Sequence, residues 1–173
     1  MKVLVALVAL GGGAAAEPAP RPLVGPAIGV EAGEPTSVTA GWFTERVGIA
    51  GGIGSGTLYG PGLALHADVL VMPTRVAGRF PLVVGLGVRW YDQHYALASA
   101  DEMPSRNVGL RASVAIAYPM APLELYAELA PGVDVSRSGS CNLADGPRSI
   151  CPHAMATPLF VDVVVGARWF LGH

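Results

Sequence analysis

The chain has 173 residues, of which 51% are hydrophobic and only 14% are charged, with 11 basic and 13 acidic side chains. This length suits a single domain, and the slight acidic excess argues against nucleic-acid binding, which needs a basic surface. After residue 16, no segment provides the ~18 consecutive apolar residues of a transmembrane helix. A long charge-free stretch, residues 47–65, is rich in glycine and would make a poor helix.

The first element in chain order is an export signal. Lys2 precedes an unbroken apolar run over residues 3–10, and small residues fill positions 11–16. This arrangement is typical of a secretory signal peptide, so we predict that residues 1–16 are removed by cleavage near Ala16. Residues 17–25 follow as a proline-rich periplasmic leader, because proline has no backbone N–H to donate to a sheet or helix.

Alternation of apolar with small or polar residues then continues through residues 26–171, which is the pattern of β-strands. Short strands that follow one another without helical insertions predict an antiparallel up-and-down arrangement. The eight predicted strands are residues 26–33, 37–44, 47–54, 63–72, 80–91, 107–118, 123–135 and 158–171.

The two faces of these strands predict their surroundings. In the eighth strand, Val161, Val163 and Val165 share an aliphatic face, while Asp162 and Arg168 lie on the other. A soluble barrel would turn the aliphatic face inward and coat its exterior with polar side chains. Here the second face is largely glycine and alanine with isolated charges, which suits a narrow lumen, and the aliphatic face can meet lipid. We therefore predict an all-β, eight-stranded antiparallel up-and-down transmembrane β-barrel.

The lengths of the connections predict its orientation. The connections after the second, fourth and sixth strands are short, whereas residues 92–106 and 136–157 form long loops. Bacterial barrels have short periplasmic turns and longer outer loops. This orientation places Trp42, Tyr118 and Trp169 at the periplasmic interface and Trp90 at the outer interface, as an aromatic belt.

Several segments resemble a known family. Residues 29–36 (GVEAGEPT), 65–68 (LHAD), 81–88 (PLVVGLGV) and 122–131 (PLELYAELAP) look like a group of small, largely uncharacterised outer-membrane barrels found in spirochaetes and other bacteria. The resemblance covers nearly the whole mature chain and implies an eight-stranded barrel of the OmpA/OmpX type, with no catalytic residues to carry over. Residues 163–171 also resemble the terminal strand that the barrel-assembly machinery recognises, although Gly172 and His173 extend beyond it.

The inward charges are the most informative polar residues. An eight-stranded barrel is barely wide enough inside for side chains, so charges there must pair and form hydrogen bonds. We predict that each of three arginines bridges carboxylates on neighbouring strands. The arginines are Arg89, Arg111 and Arg168, and the carboxylates are chiefly Asp68, Glu128 and Asp162. The network has a structural interpretation, a plug that fixes strand register, and a functional one, a proton or ion path; we favour the plug. Its predicted members are Glu31, His66, Asp68, Arg89, Arg111, Glu128, Asp162 and Arg168, with Glu124 and Asp134 on the same face.

The loop at residues 136–157 contains both cysteines, Cys141 and Cys151. An exported chain meets an oxidising compartment, which favours a disulfide between them. Neither cysteine has a histidine at metal-ligand spacing, so we predict no metal and no cofactor.

The leading functional hypothesis is a non-enzymatic outer-membrane protein with a filled lumen, structural or surface-binding through residues 92–106 and 136–157. Its expected partners are outer-membrane lipid and lipopolysaccharide, the barrel-assembly machinery and an extracellular ligand, and we expect a monomer. A lipid-modifying enzyme on the same fold is one alternative, with His94, Ser99 and His153 as candidates, but spacing alone assembles no triad. A soluble periplasmic lipocalin-like barrel binding an apolar ligand is the other.

Overall fold

The computed structural model of the chain describes residues 23–56, 62–96, 102–139 and 159–172. Within these ranges every strand pairs antiparallel with its neighbours in chain order, and the first also pairs with the last, so the sheet closes. The predicted all-β, eight-stranded antiparallel up-and-down barrel is therefore confirmed, while the predicted signal peptide lies outside the described residues. The strands are β1 (Gly25–Glu34), β2 (Thr36–Phe43), β3 (Val47–Gly56), β4 (Gly62–Val76), β5 (Phe80–Ala96), β6 (Glu102–Met120), β7 (Leu123–Gly139) and β8 (Leu159–Phe170).

Burial along the strands follows the sequence alternation. In β8, the side chains of Phe160, Asp162 and Val164 are buried while those between them are exposed. Successive side chains of a strand point to opposite faces, and here the inward face carries the charges while the outward face carries the aliphatic residues. None of the described residues forms a helix long and apolar enough to cross a membrane.

Several strands are longer than their alternation predicted. Strand β4 continues past Met72 through an irregularity between Val71 and Thr74, because the irregularity shifts the register without ending the ladder. Strands β5 and β6 pair as far as Ala96 and Glu102. The predicted loop at 92–106 is therefore wrong in extent, since only residues 97–101 connect the two strands, and the loop at 136–157 likewise begins after Gly139. Hydrogen-bonded pairing continues here through polar sequence, which carries no apolar alternation.

The two ends of the barrel differ. We call the end with the β2–β3, β4–β5 and β6–β7 turns the short-turn end, and the opposite end the long-loop end. A cluster of buried apolar side chains fills the interior near the short-turn end. Leu23 belongs to it and β1 begins at Gly25. The leader was predicted at residues 17–25, so its last residues are part of the barrel. The cluster consists of Leu23, Ala27, Phe43, Leu70, Val83, Ala115 and Phe170.

Candidate functional site

The charged side chains of the barrel interior form the candidate site. Asp162 is only 1% exposed and Arg89 3%, so these charges are removed from solvent. Alternation places them inward, and the closed barrel brings together residues from strands that are far apart in the sequence. The buried or half-buried members are Glu31, His66, Asp68, Arg89, Arg111, Glu124, Glu128, Asp134, Asp162 and Arg168.

Arg111 of β6 lies at the centre of this network. Its Nε is 3.0 Å from Asp68 Oδ1 and its Nη1 is 3.2 Å from Asp162 Oδ2, and its Nη2 also contacts Glu128. The guanidinium carries five N–H donors in a planar fork, so one side chain can serve three carboxylates. Arg111 therefore joins β4, β6, β7 and β8 across the lumen.

Arg89 of β5 shares Asp162 with Arg111. Its Nη1 donates to Asp162 Oδ1 at 2.8 Å, and its Nη2 is 3.5 Å from Asp134 Oδ1. The guanidinium carbon lies 3.3 Å from the centre of the Phe160 ring, a cation–π contact. The two arginines thus hold Asp162 from both sides, which offsets the large free energy of burying its charge.

His66 of β4 lies between two carboxylates. Its Nδ1 is 2.9 Å from Asp68 Oδ2, and its Nε2 is 3.4 Å from Glu31 Oε2. An ionised carboxylate can only accept hydrogen bonds, and a neutral imidazole has a single N–H. Both ring nitrogens therefore have to carry a proton for both contacts to be favourable, and the geometry fits a positively charged imidazolium.

Glu31 of β1 receives two further hydroxyl groups. Ser37 Oγ donates to its Oε2 at 2.6 Å, and Tyr126 Oη donates to its Oε1 at 2.7 Å. Ser37 was not among the predicted members of the network, and the pairing of β1 with β2 places it directly opposite Glu31. The arrangement differs from a nucleophile–base pair, because the Ser37 proton is directed at a carboxylate and the histidine faces carboxylates with both nitrogens.

Arg168 of β8 pairs with a carboxylate on a neighbouring strand, as predicted, but its partner is none of the three carboxylates that we named as chief partners. Its Nε donates to Glu124 Oε1 at 2.6 Å, a pair that follows directly from the register in which these two residues face each other across β7 and β8. Its guanidinium also lies 4.4 Å and 4.5 Å from the ring centres of Phe43 and Tyr126. Arg168 therefore forms a second cluster nearer the short-turn end.

A third buried interaction was missed in the sequence. Tyr91 Oη donates to Glu34 Oε1 at 2.9 Å, and both side chains are buried near the long-loop end. The first two predicted strands, residues 26–33 and 37–44, leave Glu34 between them, immediately before Pro35, so the sequence predicts it in the turn. Only the closure of the barrel brings β1 and β5 close enough for this contact, so no signal in the local sequence could have revealed it.

Little space remains among these side chains. A cavity of about 20 Å³ lies between Glu31, His66, Glu128 and Arg168 in the described part of the lumen. A volume of this order accommodates about one water molecule. The interior is therefore filled with side chains at the level of the network.

Glycines make this packing possible. A Cβ atom at Gly87 would collide with the carboxylate of Asp68 and the carbonyl oxygen of Ala67. We expect Gly87→Ala to lower the free energy of unfolding by about 1–3 kcal/mol, the usual penalty of overpacking. Urea unfolding of the reconstituted barrel, followed by tryptophan fluorescence, measures this difference.

Gly51 provides the control for that variant. A Cβ at Gly51 would lie 3.0 Å from its nearest atom, the carbonyl oxygen of His66, and it would touch no charged side chain. Gly51→Ala should therefore have the smaller effect. Equal effects of the two substitutions would mean that the position of Asp68 does not depend on the absence of a side chain at Gly87.

The predicted aromatic residues lie on the outward face. Trp42, Tyr118 and Trp169 are 56%, 41% and 51% exposed near the short-turn end. Trp90 is half-buried on the same face towards the long-loop end. Cys141, Cys151, Ser99 and His153 lie outside the described residues, and for His94 only the backbone, within β5, is described.

Comparison with known proteins gives no relative: no family model, no curated protein and no solved structure matches the chain.

Proposed function

We propose that the chain is an outer-membrane β-barrel without enzymatic activity, whose lumen is plugged by side chains and whose long-loop end serves a structural or surface-binding role. The observation that carries the proposal is the exposure of aliphatic side chains around the outward face. Leu86 is 71% exposed and Leu159 68% exposed, and many valines and isoleucines are more than half exposed. Soluble monomers rarely expose contiguous apolar patches beyond a few hundred Å².

The height of this apolar face fits a membrane. On β6 the outward residues from Val108 to Tyr118 are apolar, which spans roughly 33 Å along the strand at ~3.3 Å per residue. At a strand tilt of ~40° this corresponds to about 25 Å along the barrel axis, the height of the apolar band of outer-membrane barrels. Exposed Trp42, Tyr118 and Trp169 at one edge suit a membrane–water interface.

The interior supports a plug rather than a transport path. A proton relay needs groups that both accept and release protons, whereas arginine does not release its proton in proteins. Arg111 and Arg89 stand at the centre of the charged network, and their fixed charge also repels cations. A lipocalin-like function would need an apolar cavity, but the described inward face holds ion pairs.

The long-loop end supports a surface role. Strands β5, β6 and β7 have 17, 19 and 17 residues, whereas β1, β2 and β3 have 10, 8 and 10. At the short-turn end β1 begins and β8 ends. Strands β5 and β6 remain paired as far as Ala96 and Glu102 towards the opposite end, so the extra strand length lies there. One side of the barrel wall therefore projects beyond the apolar band. Cys141 and Cys151 lie outside the described residues. We further propose that these cysteines are disulfide-bonded and that the C-terminal strand engages the barrel-assembly machinery.

The test compares unboiled and boiled protein from a detergent-extracted outer-membrane fraction on a gel, together with flotation of the refolded protein with phospholipid vesicles. We expect a band that shifts on boiling and a protein that floats with the vesicles. A soluble protein that shows neither behaviour would contradict the membrane proposal.

A further inference from the structure

A groove on the outward face begins near the short-turn end. Its walls there are Phe80 and Tyr118, whose ring centres are 5.8 Å apart. From these rings it crosses β6, β7 and β8 towards β1, following paired residues such as Ala127 and Val165. The floor consists of small residues, so the groove is deeper than the surrounding aliphatic surface. Its lining includes Phe80, Tyr118, Leu125, Ala127, Val165 and Ala167.

Basic residues stand beside the entrance of this groove. Arg79 directly precedes Phe80 in the β4–β5 turn. Arg75 pairs with the buried Pro81 across the β4–β5 ladder, so its side chain lies on the inward face. Arg46 lies in the neighbouring β2–β3 turn, where its carbonyl oxygen accepts a hydrogen bond from the Met72 backbone N–H. Arg46 and Arg79 are exposed and Arg75 is half-buried.

The charge at this end is distinctive. Among the described residues of the turns at the short-turn end and the strand ends beside them, the three arginines are accompanied by a single solvent-facing carboxylate, Glu45. Among the described side chains towards the long-loop end, the exposed Arg106 lies 3.4 Å from the carboxylate of Asp92, so these two charges offset each other. An anionic partner would therefore be attracted to the short-turn end.

We propose that this region binds an anionic phospholipid of the membrane leaflet at the short-turn end, with an acyl chain in the groove and the headgroup phosphate at Arg79. Arginine suits this role because its planar guanidinium can donate two parallel hydrogen bonds to a phosphate. Phe80 and Tyr118 lie at the level where the headgroup meets the acyl chain, the usual position of aromatic residues at a membrane interface. The inference rests on the proposed membrane location and adds a specific lipid class to it.

The test reconstitutes the full mature barrel in vesicles of phosphatidylcholine with a minor fraction of phosphatidylglycerol, and native mass spectrometry measures which lipid the barrel retains. We expect preferential retention of phosphatidylglycerol. In Arg79→Gln this preference should fall about fivefold, the factor that corresponds to ~1 kcal/mol per basic residue at an anionic surface. Arg106→Gln, which removes an exposed arginine at the long-loop end, should leave the preference unchanged.

A second pair of variants tests the groove. Ala127→Leu fills the floor and should displace the retained lipid. Ala112→Leu adds the same volume to an exposed outward position on β6 outside the groove and should not. Equal retention of both lipids by the wild-type barrel, or retention that survives all of these substitutions, would overturn the lipid site while vesicle flotation still upheld the membrane location. A barrel that fails to float with vesicles would overturn both.

Discussion

We expect Arg111→Met to lower the free energy of unfolding of the barrel by about 3–5 kcal/mol, the effect of removing one partner from a buried ion pair. Arg111 contacts Asp68, Asp162 and Glu128 together. Methionine keeps much of the side-chain volume but leaves three buried carboxylates without the cation that they share. Urea unfolding of the reconstituted barrel measures the loss.

The dependence on pH distinguishes this electrostatic effect from a packing defect. Acidification protonates carboxylates and removes the uncompensated negative charge, so the difference between Arg111→Met and the wild type should become smaller as the pH falls. A packing defect would persist at every pH.

Arg106→Met is a matched control in the same strand. The Arg106 side chain is 66% exposed and lies 3.4 Å from Asp92, and exposed pairs of this kind contribute only ~0–1 kcal/mol. If Arg111→Met were no more destabilising than Arg106→Met, the lumen network would not be a structural plug.

The sequence specified the strands and their faces better than the contacts between them. Alternation is a local property, so it could show that Asp162 and Arg168 point the same way and that Val163 and Val165 point outward. Alternation carries no information on where each residue lies along the barrel axis, because the register between strands depends on bulges such as the one after Val71. For this reason the number of strands and the inward residues could be derived, while the extents of β4 to β7 could not.

Pairing across the lumen was the part that alternation could not determine. Arg168 was expected to bridge a carboxylate on a neighbouring strand, chiefly Asp68, Glu128 or Asp162. It does bridge a neighbouring strand, but its partner is Glu124, which faces it in the register between β7 and β8. Phe160 stacks against Arg89 and Tyr91 reaches Glu34 because the closed wall brings distant strands together. Such contacts depend on the diameter and the stagger of the barrel, which are properties of the whole sheet.

The nature of the outward surface can be tested by a single charge. We expect Leu86→Arg to destabilise the barrel in vesicles by ~2–4 kcal/mol, the effect of a basic residue at the midplane of a membrane barrel. Leu86 is 71% exposed, so in a water-soluble barrel the same substitution would fall within about ±0.5 kcal/mol, as surface substitutions usually do. Equilibrium unfolding from vesicles, with the transition read by tryptophan fluorescence, separates the two expectations.

Position along the barrel provides the control. Val135 is 59% exposed, but it lies on β7 beyond the pairing of Val133 with Leu159, towards the long-loop end. Near a membrane interface the effect of a basic residue falls to ~0–1 kcal/mol, so Val135→Arg should be much milder than Leu86→Arg. Because the two side chains are similarly exposed, exposure alone cannot account for such a difference, and only a medium that becomes less polar towards the middle of the barrel can. Equal, small effects at both positions would place the aliphatic face in water and refute the membrane proposal.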